Sequence, residues 1–262
     1  MEKFSYLFVL CILMACHTTK FHGKNANAPI SVPGKMYAAF FQQQAAEYRA
    51  MCYQAFNFAR YKVEKATNGV KPLAIVTDVD ETILDNSPYA VHQTLSGTDH
   101  TSAEWEAWTA MAKCDTVPGA YTFLKYAASK GIEIFYVTNR AEAEKEGTLK
   151  NLQLFNFPNA DEKHLLLKRA TSKEDRRNAV AKTHDILLLM GDNLSDFSSL
   201  FDKQTPEGRK SNTDQSAALF GNRFIVLPNT TYGDWEGALF NYNYNLTMPQ
   251  KDSIIRQVLK GY

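Results

Sequence analysis

The sequence predicts an α/β fold in which a parallel sheet is covered by helices on both faces. Short apolar runs of strand length alternate with helical stretches along the chain, a pattern typical of strand–helix–strand units. The runs are continuous rather than alternating, as expected for strands that are buried on both faces. Polar and acidic residues follow several runs, and ligands in such folds bind beyond the carboxyl ends of the strands.

The predicted elements follow one another in a regular order. Residues 36–67 carry aromatic and small residues at helical spacing, which predicts a long helix or a helix pair that packs on the core, ended by Asn68 and Gly69. The predicted strands cover residues 73–77, 132–137, 164–167, 186–190 and 224–227, and the later helices cover residues 119–130, 141–156 and 172–183, with Ser172 as an N-cap. Residues 83–118 lack a strand of this type and contain Pro88 and Gly97, which predicts a cap-like insert.

The size and charge of the chain limit the classes of protein to consider. The chain has 262 residues and a formal net charge of +1, which is suited to one well-cored domain with a small insert. The balanced charge gives no support to nucleic-acid binding, so no nucleic-acid partner is predicted.

The N-terminus has the features of an export signal. An apolar run over residues 4–14 follows Lys3 and is too short for a confident membrane span. It ends in Leu-Met-Ala-Cys, which resembles a bacterial lipobox. We therefore predict a signal peptide over residues 1–15, lipidation of Cys16, a tether over residues 16–35 and a domain over residues 36–262. An ordinary cleaved signal with an incidental Cys16 is the alternative, and the outer membrane is the expected location.

The remaining cysteines leave two alternatives open. Cys52 and Cys114 are consistent with one disulfide or with two buried thiols. No CxxC pair or Cys/His cluster indicates a structural zinc site.

Charged and polar residues converge on one edge of the predicted sheet. Because parallel strands end at the same edge, the residues that follow them are expected to lie together. The residues concerned are Asp78 and Asp80 after the first strand, Thr138, Asn139 and Arg140 after the second, Asp192 and Asp196 after the fourth, and Lys173 at a helix start. Each alone is a common turn or cap residue, but together they indicate a site, where a metal, a phosphate or solvent must offset the crowded acids.

Four stretches carry a resemblance to a known family. They are DVDETILDNSPY (78–89), YVTNR (136–140), GDNLSDF (191–197) and LPNTTYGDWEG (227–237). In this order they resemble the haloacid dehalogenase (HAD) superfamily, and more narrowly the bacterial class C acid phosphatases, the lipoprotein e-type 5'-nucleotidases. The resemblance implies a HAD-like Rossmannoid sheet with a small helical cap, and an acid phosphatase with an acidic pH optimum that hydrolyses phosphate monoesters.

The resemblance also implies a role for each site residue. Asp78 is expected to be the nucleophile that forms an aspartyl-phosphate, and Asp80 the general acid and base. Thr138 and Lys173 are expected to hold the phosphoryl oxygens. Lys168 is the alternative lysine, and Lys173 is preferred because it starts a helix after Ser172.

A magnesium ion, one per chain, is the implied cofactor. Its expected ligands are the carboxylates of Asp78 and Asp192 and the main-chain carbonyl of Asp80, with Asp196 in support. Glu81 and Asp85 are expected to serve only as turn or supporting residues.

The substrates implied are nucleoside 5'-monophosphates, including nicotinamide mononucleotide. Trp105 and Tyr232 match the positions that sandwich the nucleobase, and Asn139 and Arg140 are also predicted to bind substrate. Packing is the alternative role for Trp105, and Trp108 and Trp235 are expected to be packing anchors. The family also allows a homodimer.

Three rival functions stay open. One is another HAD enzyme, such as a phosphomutase or a sugar phosphatase. The second is a non-catalytic surface lipoprotein that binds haem or a nucleotide. The third is a structural lipoprotein anchored through Cys16.

Overall fold

The computed structural model describes residues 30–67, 69–98 and 100–261. The predicted signal peptide, most of the predicted tether, Cys16 and the helix stop at Asn68 therefore lie outside the described residues. The strands are β1 Leu73–Thr77, β2 Leu84–Asp85, β3 Asp115–Thr116, β4 Glu133–Val137, β5 Leu165–Leu166, β6 Asp185–Gly191 and β7 Phe224–Val226. The helices are α1 Ser31–Gln44, α2 Ala46–Lys65, α3 Ser87–Ser96, α4 Ser102–Ala110, α5 Ala120–Ser129, α6 Lys145–Leu154, α7 Lys173–Thr183, α8 Pro206–Gln215, α9 Asp234–Leu239 and α10 Met248–Val258.

A five-stranded sheet in the order β5-β4-β1-β6-β7 forms the centre of the fold. All four strand pairings are parallel, so the predicted α/β fold is confirmed. Alternate residues of β1 point to opposite faces: Ile75 packs in one cluster with Phe56 of α2 and Leu124 of α5, and Val76 packs in the other with Val180 of α7. Both faces of the sheet are therefore covered by helices, as predicted.

The N-terminal helical region is a pair of helices, α1 and α2, separated at Ala45, whose backbone is extended. The helix begins at Ser31, so the prediction that the tether continues to residue 35 is wrong. The backbone N–H groups of Ile30 and Ser31 each donate to the carboxylate of Asp252 in α10 at 2.9 Å. A carboxylate from the other end of the chain thus satisfies the first N–H groups of α1, which stabilises a helix start.

The aromatic face of α2 is core, as predicted, since Tyr48, Cys52 and Phe56 are buried there. Cys52 and Cys114 are both free and buried, which decides between the two alternatives in favour of two thiols. None of the described helices has the length and apolarity needed to cross a bilayer.

The insert over residues 83–118 contains α3 and α4 and lies between β1 and α5. The short strands β2 and β3 pair with each other in an antiparallel ribbon at its two ends, a pairing that the sequence did not predict. The chain therefore leaves and re-enters the main domain at one place, which positions α4 over the carboxyl end of the sheet.

Candidate active site

A cavity of about 470 Å³ lies at the carboxyl ends of the central strands. Among its lining residues are Asp78, Asp80, Trp105, Asn139, Arg140, Lys173, Asp192, Asp196 and Tyr232. The structure therefore brings together nine of the site residues predicted from sequence. Thr138 is fully buried, and its Oγ1 lies 3.5 Å from Oδ2 of Asp80.

Asp78 follows β1 directly and faces Lys173. The backbone N–H of Asp78 donates to the carbonyl of Met190 in the neighbouring strand at 2.9 Å, which fixes the end of β1. Nζ of Lys173 lies 2.8 Å from Oδ1 of Asp78 and 2.5 Å from Oδ1 of Asp196. Apart from this contact with the Lys173 ammonium, Oδ1 of Asp78 has no hydrogen-bond donor among the described residues. Lys173 therefore lies between the two carboxylates and offsets their charge.

The start of α7 positions Lys173. Ser172 caps the helix by accepting from the backbone N–H of Asp175 at 3.0 Å, and the Asp175 carboxylate accepts from the N–H of Ser172 in return. This capping box fixes the first turn of α7, and Ser172 is the N-cap, as predicted. Lys168, the alternative lysine, is exposed, so the geometry favours Lys173 as the cation beside Asp78.

Three carboxylates could hold a metal ion. Oxygens of Asp78, Asp192 and Asp196 all lie within 4.8 Å of one another. Asp192 accepts from Thr82 Oγ1 at 3.2 Å and from Asn229 Nδ2 at 2.8 Å, which fixes its orientation. A set of carboxylate oxygens this close together, with no nitrogen or sulfur ligand, is suited to a hard divalent cation such as Mg²⁺. The residues present therefore fit a metal.

The electrostatics of the site follow from its burial. Burial raises the pKa of Asp78 to about 7, and repulsion from Asp196 and Asp80 adds to the effect, although Lys173 acts in the opposite direction. Burial, together with Asp196 and Asp78, also raises the pKa of Asp192 well above its ordinary value. Burial lowers the pKa of Lys173, but Asp196 and Asp78 outweigh it, and the pKa of Lys173 is raised. Lys173 is therefore positively charged and offsets the negative charge of Asp78 and Asp196.

Asp80 is held by Arg140. Nη2 of Arg140 lies 2.7 Å from Oδ1 of Asp80, and Nε donates to both carboxylate oxygens at 3.1 and 3.2 Å. Nη1 of Arg140 donates to Thr148 at 3.0 Å, and the residue is 1% exposed. Arg140 thus lines the cavity, but its donors point to Asp80 and Thr148. The other predicted substrate residue after β4, Asn139, is exposed at the cavity.

Aromatic side chains form the outer part of the cavity. Trp105 packs edge-on against Tyr89, with ring centroids 5.0 Å apart, and Tyr232 lines the same cavity. The Tyr232 hydroxyl donates to Glu81. Trp235 is 50% exposed, so the prediction that it is a packing anchor is wrong; its indole instead donates to the carbonyl of Tyr232 at 3.2 Å.

Two residues contribute more to the site than the sequence predicted: Asn86 was assigned no role, and Glu81 only a turn or supporting one. Asn86 Nδ2 donates to Asp80 Oδ1 at 2.9 Å, and Asn86 Oδ1 accepts from Trp108 Nε1 at 2.8 Å. Glu81 is 1% exposed. Burial raises the pKa of Glu81 to about 8, with Asp80 adding to the shift, while hydrogen bonds from Tyr232 and Asn86 oppose it. The signal in the sequence was the position of both residues inside the DVDETILDNSPY stretch.

Comparison with known proteins decides the family. A sequence model described as "HAD superfamily, subfamily IIIB (Acid phosphatase)" matches residues 12–235. The chain belongs to this family of acid phosphatases. The structure of the class C acid phosphatase from Bacillus anthracis is similar to this acid phosphatase at 39% sequence identity and a TM-score of 0.85, covering 89% of this chain and all of the other. The same Bacillus anthracis enzyme with tungstate bound matches at 39% identity and a TM-score of 0.84, covering 88% of this chain and 98% of the other.

Membership of the family establishes the general activity. This acid phosphatase is a hydrolase of phosphate monoesters, in agreement with the prediction from sequence. HAD phosphatases use a divalent metal, and the carboxylates of Asp78, Asp192 and Asp196 are suited to one.

Proposed function

We propose that this acid phosphatase hydrolyses nucleoside 5'-monophosphates, nicotinamide mononucleotide included, through an aspartyl-phosphate on Asp78. The observation that carries the proposal is the content of a single cavity. Asp78 and Lys173 lie in it, and so do Trp105 and Tyr232. A phosphate ester with a flat base attached would meet a nucleophile at one end and aromatic rings at the other.

The first half of the proposed reaction forms the covalent intermediate. A carboxylate oxygen of Asp78 attacks the phosphorus, the ester P–O bond breaks, and the leaving oxygen takes a proton from Asp80. Lys173 and Thr138 hold the phosphoryl oxygens. The Bacillus anthracis enzyme binds tungstate, a tetrahedral oxyanion like phosphate, which supports a phosphate-binding site in this protein.

The second half restores the enzyme. Asp80, now a carboxylate, removes a proton from water, which attacks the phosphorus and releases phosphate from Asp78. The same carboxylate must therefore be oriented toward two oxygens in turn. The paired hydrogen bonds from Arg140 and the amide of Asn86 support this role, since they fix Asp80 from two directions.

We propose Mg²⁺ as the metal, held by the carboxylates of Asp78 and Asp192 and the main-chain carbonyl of Asp80, with Asp196 in support. When bound, the ion supplies positive charge that offsets the charge of the phosphate and of the nucleophile. Lys173 contributes a second positive charge, 2.8 Å from Asp78.

The aromatic residues support a nucleotide as substrate. Stacking of a base on an aromatic ring contributes about 1–3 kcal/mol and tolerates different bases. Trp105 is fixed edge-on by Tyr89, and the guanidinium of Arg140 lies 5.9 Å from the centre of its ring. A Trp105 ring held in this way favours binding of nucleotides with different bases. Asn139, which is exposed at the cavity, is suited to contact the sugar or the phosphate.

We also propose that the protein is an exported lipoprotein anchored at Cys16. The support for this proposal is the sequence of residues 1–16. Labelling with a palmitate analogue and fractionation of the producing cells would test it. Label on the wild-type chain and none on Cys16→Ser would support the anchor. Equal label on both would contradict it.

Phosphate release from 5'-AMP and from ribose 5-phosphate tests the proposed substrate. The two esters share sugar and phosphate and differ only in the base. We expect kcat/KM for 5'-AMP to exceed that for ribose 5-phosphate by about 10- to 100-fold, with activity lost in EDTA and restored by Mg²⁺. Equal values would point to a sugar phosphatase, and no release from either would return the acids to a binding role.

A further inference from the structure

Glu81 is a buried carboxylate that the proposed reaction does not use. It follows Asp80 in a left-handed backbone conformation, with φ of 53°, and its residue exposure is 1%. A carboxylate is rarely buried in this way unless its oxygens have donors. Glu81 is therefore expected to have hydrogen-bond donors for its side-chain oxygens.

The side-chain oxygens of Glu81 accept hydrogen bonds from Asn86 and Tyr232. Oε1 accepts from the backbone N–H of Asn86 at 2.8 Å, and Oε2 accepts from Nδ2 of Asn86 at 3.3 Å. Oε2 also accepts from the hydroxyl of Tyr232. Both side-chain oxygens of Glu81 are therefore engaged, and Oε2 joins Tyr232 to Asn86.

The bond to Glu81 fixes one end of the Tyr232 ring. Tyr232 belongs to the loop between β7 and α9, far from Glu81 in sequence. The backbone of that loop is held separately, because Asn229 Oδ1 accepts from the N–H groups of Thr231 at 2.8 Å and of Tyr232 at 3.4 Å. Because the hydroxyl is engaged by Glu81, the ring of Tyr232 is the part of the side chain left to contact a ligand in the cavity.

The helix that carries Trp105, the other aromatic residue proposed to contact a base, is also bonded to Asn86. Asn86, which holds Glu81, accepts from the indole of Trp108 at 2.8 Å. Trp108 lies in α4, three residues after Trp105, and residues at this spacing lie on the same side of a helix. Glu81 therefore contacts Tyr232 directly, and Asn86 contacts the helix that carries Trp105.

We infer that Glu81 is a positioning residue that orients the Tyr232 ring for a nucleobase and so sets the selectivity for nucleotides over phosphate esters without a base. The inference rests on the proposed nucleotidase function. Glu81 itself contacts no substrate. Its effect reaches the substrate only through Tyr232, and this dependence can be measured.

A double-mutant cycle tests the inference. The readout is the selectivity ratio, defined as kcat/KM for 5'-AMP divided by kcat/KM for ribose 5-phosphate, in the Mg²⁺-loaded enzyme. We expect Glu81→Gln to lower the ratio about 10-fold, because an amide NH2 replaces one of the two accepting oxygens and cannot accept from Tyr232 or Asn86. Tyr232→Phe, which keeps the ring and removes the hydroxyl, should lower it by a similar factor. The double variant should be no worse than the lower single variant.

Glu144→Gln is the matched control. Glu144 is also a buried carboxylate, 5% exposed, and accepts from the backbone N–H of Ala141 at 2.7 Å, but it does not line the cavity. Its selectivity ratio should equal that of the wild type. A general loss of stability would move both substrates together and leave the ratio unchanged, so the readout separates positioning from folding.

The outcomes are distinct. A wild-type ratio near one overturns the nucleotidase function and this inference with it. A high wild-type ratio that Glu81→Gln leaves unchanged, or losses that multiply in the double variant, overturns the inference alone. Should Glu81→Gln not fold, Tyr232→Phe with an unchanged ratio overturns it as well.

Discussion

The guanidinium of Arg140 holds the carboxylate of Asp80 through two nitrogens, with Nη2 2.7 Å from Oδ1 and Nε 3.1 Å from the same oxygen. Arg140 is buried, and it also donates hydrogen bonds to Thr148 and to the Cys114 sulfur. Its planar fork therefore defines the direction in which the Asp80 carboxylate faces. In the proposed mechanism this direction decides whether Asp80 reaches the leaving oxygen.

Arg140→Lys is expected to lower kcat by about 10- to 100-fold, because an ammonium cannot form the paired contacts and a carboxylate misplaced by a fraction of an ångström transfers protons poorly. Steady-state kinetics on 5'-AMP measure it. Arg169→Lys is the control, since Arg169 forms an exposed pair with Glu142. A kcat for Arg140→Lys within about twofold of the wild type would contradict the role given to the pair.

Gly191→Ala is expected to impair the metal site. A Cβ at Gly191 would lie 2.3 Å from Cβ and Oδ2 of Asp196, so Asp196 cannot keep its position beside Asp78 and Asp192. We expect the Mg²⁺ concentration for half-maximal activity to rise about 10-fold or more. Gly34→Ala is the control, because no atom lies within 4 Å of its Cβ. An unchanged Mg²⁺ requirement in Gly191→Ala would show that Asp196 does not support the metal.

Magnesium is expected to stabilise the fold more at neutral than at acidic pH. The pKa of Asp78 in the folded, metal-free protein is about 7, against an ordinary value of 3.8. The folded state therefore binds this proton more tightly than the unfolded state, and the stability from protonation is full below about pH 4 and lost as the pH rises through about 7. A bound metal must displace that proton. The rise in Tm on adding Mg²⁺ should therefore be larger at about pH 7.5 than at about pH 5.

Thermal unfolding with and without Mg²⁺ at both pH values measures this difference. Asp192→Asn, which removes one carboxylate of the set, should show a much smaller shift at either pH. An equal or larger shift of the wild type at the acidic pH would contradict the account.

A second cluster of titratable groups is expected to affect stability and not catalysis. Glu133 begins β4, and its two carboxylate oxygens lie 2.5 Å from Nε2 of His164 and 2.7 Å from Nε2 of His184. Hydrogen bonds from Lys163 and His164 lower the pKa of Glu133 to about 2. The stability that this shift contributes is present above about pH 4.5 and is lost as the pH falls through about 2.

Glu133→Gln should therefore lower the free energy of unfolding at neutral pH by about 2 kcal/mol while leaving KM for 5'-AMP unchanged, because β4 carries the cavity at its other end. Urea unfolding measures the change. Glu162→Gln removes an exposed pair with Lys145 and should cost less than about 1 kcal/mol. Equal effects in the two variants would show that the cluster is an ordinary surface contact.

The strands of the sheet were predictable because each is a continuous apolar run buried on both faces. Predicted residues 73–77 match β1, and residues 132–137 differ from β4 by one residue. The sequence also predicted that the acids after β1 and β6 lie together, since parallel strands end at one edge of the sheet. Helix α8, PEGRKSNTDQ, was not predicted because it has almost no apolar face, and its polar residues depend on tertiary contacts such as Arg209 with the carbonyl of Phe201 at 2.9 Å.

The pairing of side chains in the site could not be predicted from the sequence. Arg140 follows β4, so its place at the cavity could be predicted, but its choice of Asp80 over a substrate depends on rotamers and on Asn86 and Thr148 around it. The same holds for Glu81, whose bond to Tyr232 joins loops far apart in the chain. Patterns in the sequence predict which residues share an edge, and packing decides which of them touch.

The central claim is that Asp78 becomes phosphorylated, and Asp80→Asn with p-nitrophenyl phosphate tests it most directly. p-Nitrophenolate leaves without a proton from residue 80, whereas hydrolysis of the aspartyl-phosphate needs the Asp80 base. Stopped-flow absorbance should therefore show a burst on the order of one p-nitrophenolate per chain followed by slow turnover. Mass spectrometry of the acid-quenched protein should place a phosphate on Asp78. No burst in Asp80→Asn and no phosphorylated Asp78, with the wild type active, would contradict the covalent mechanism.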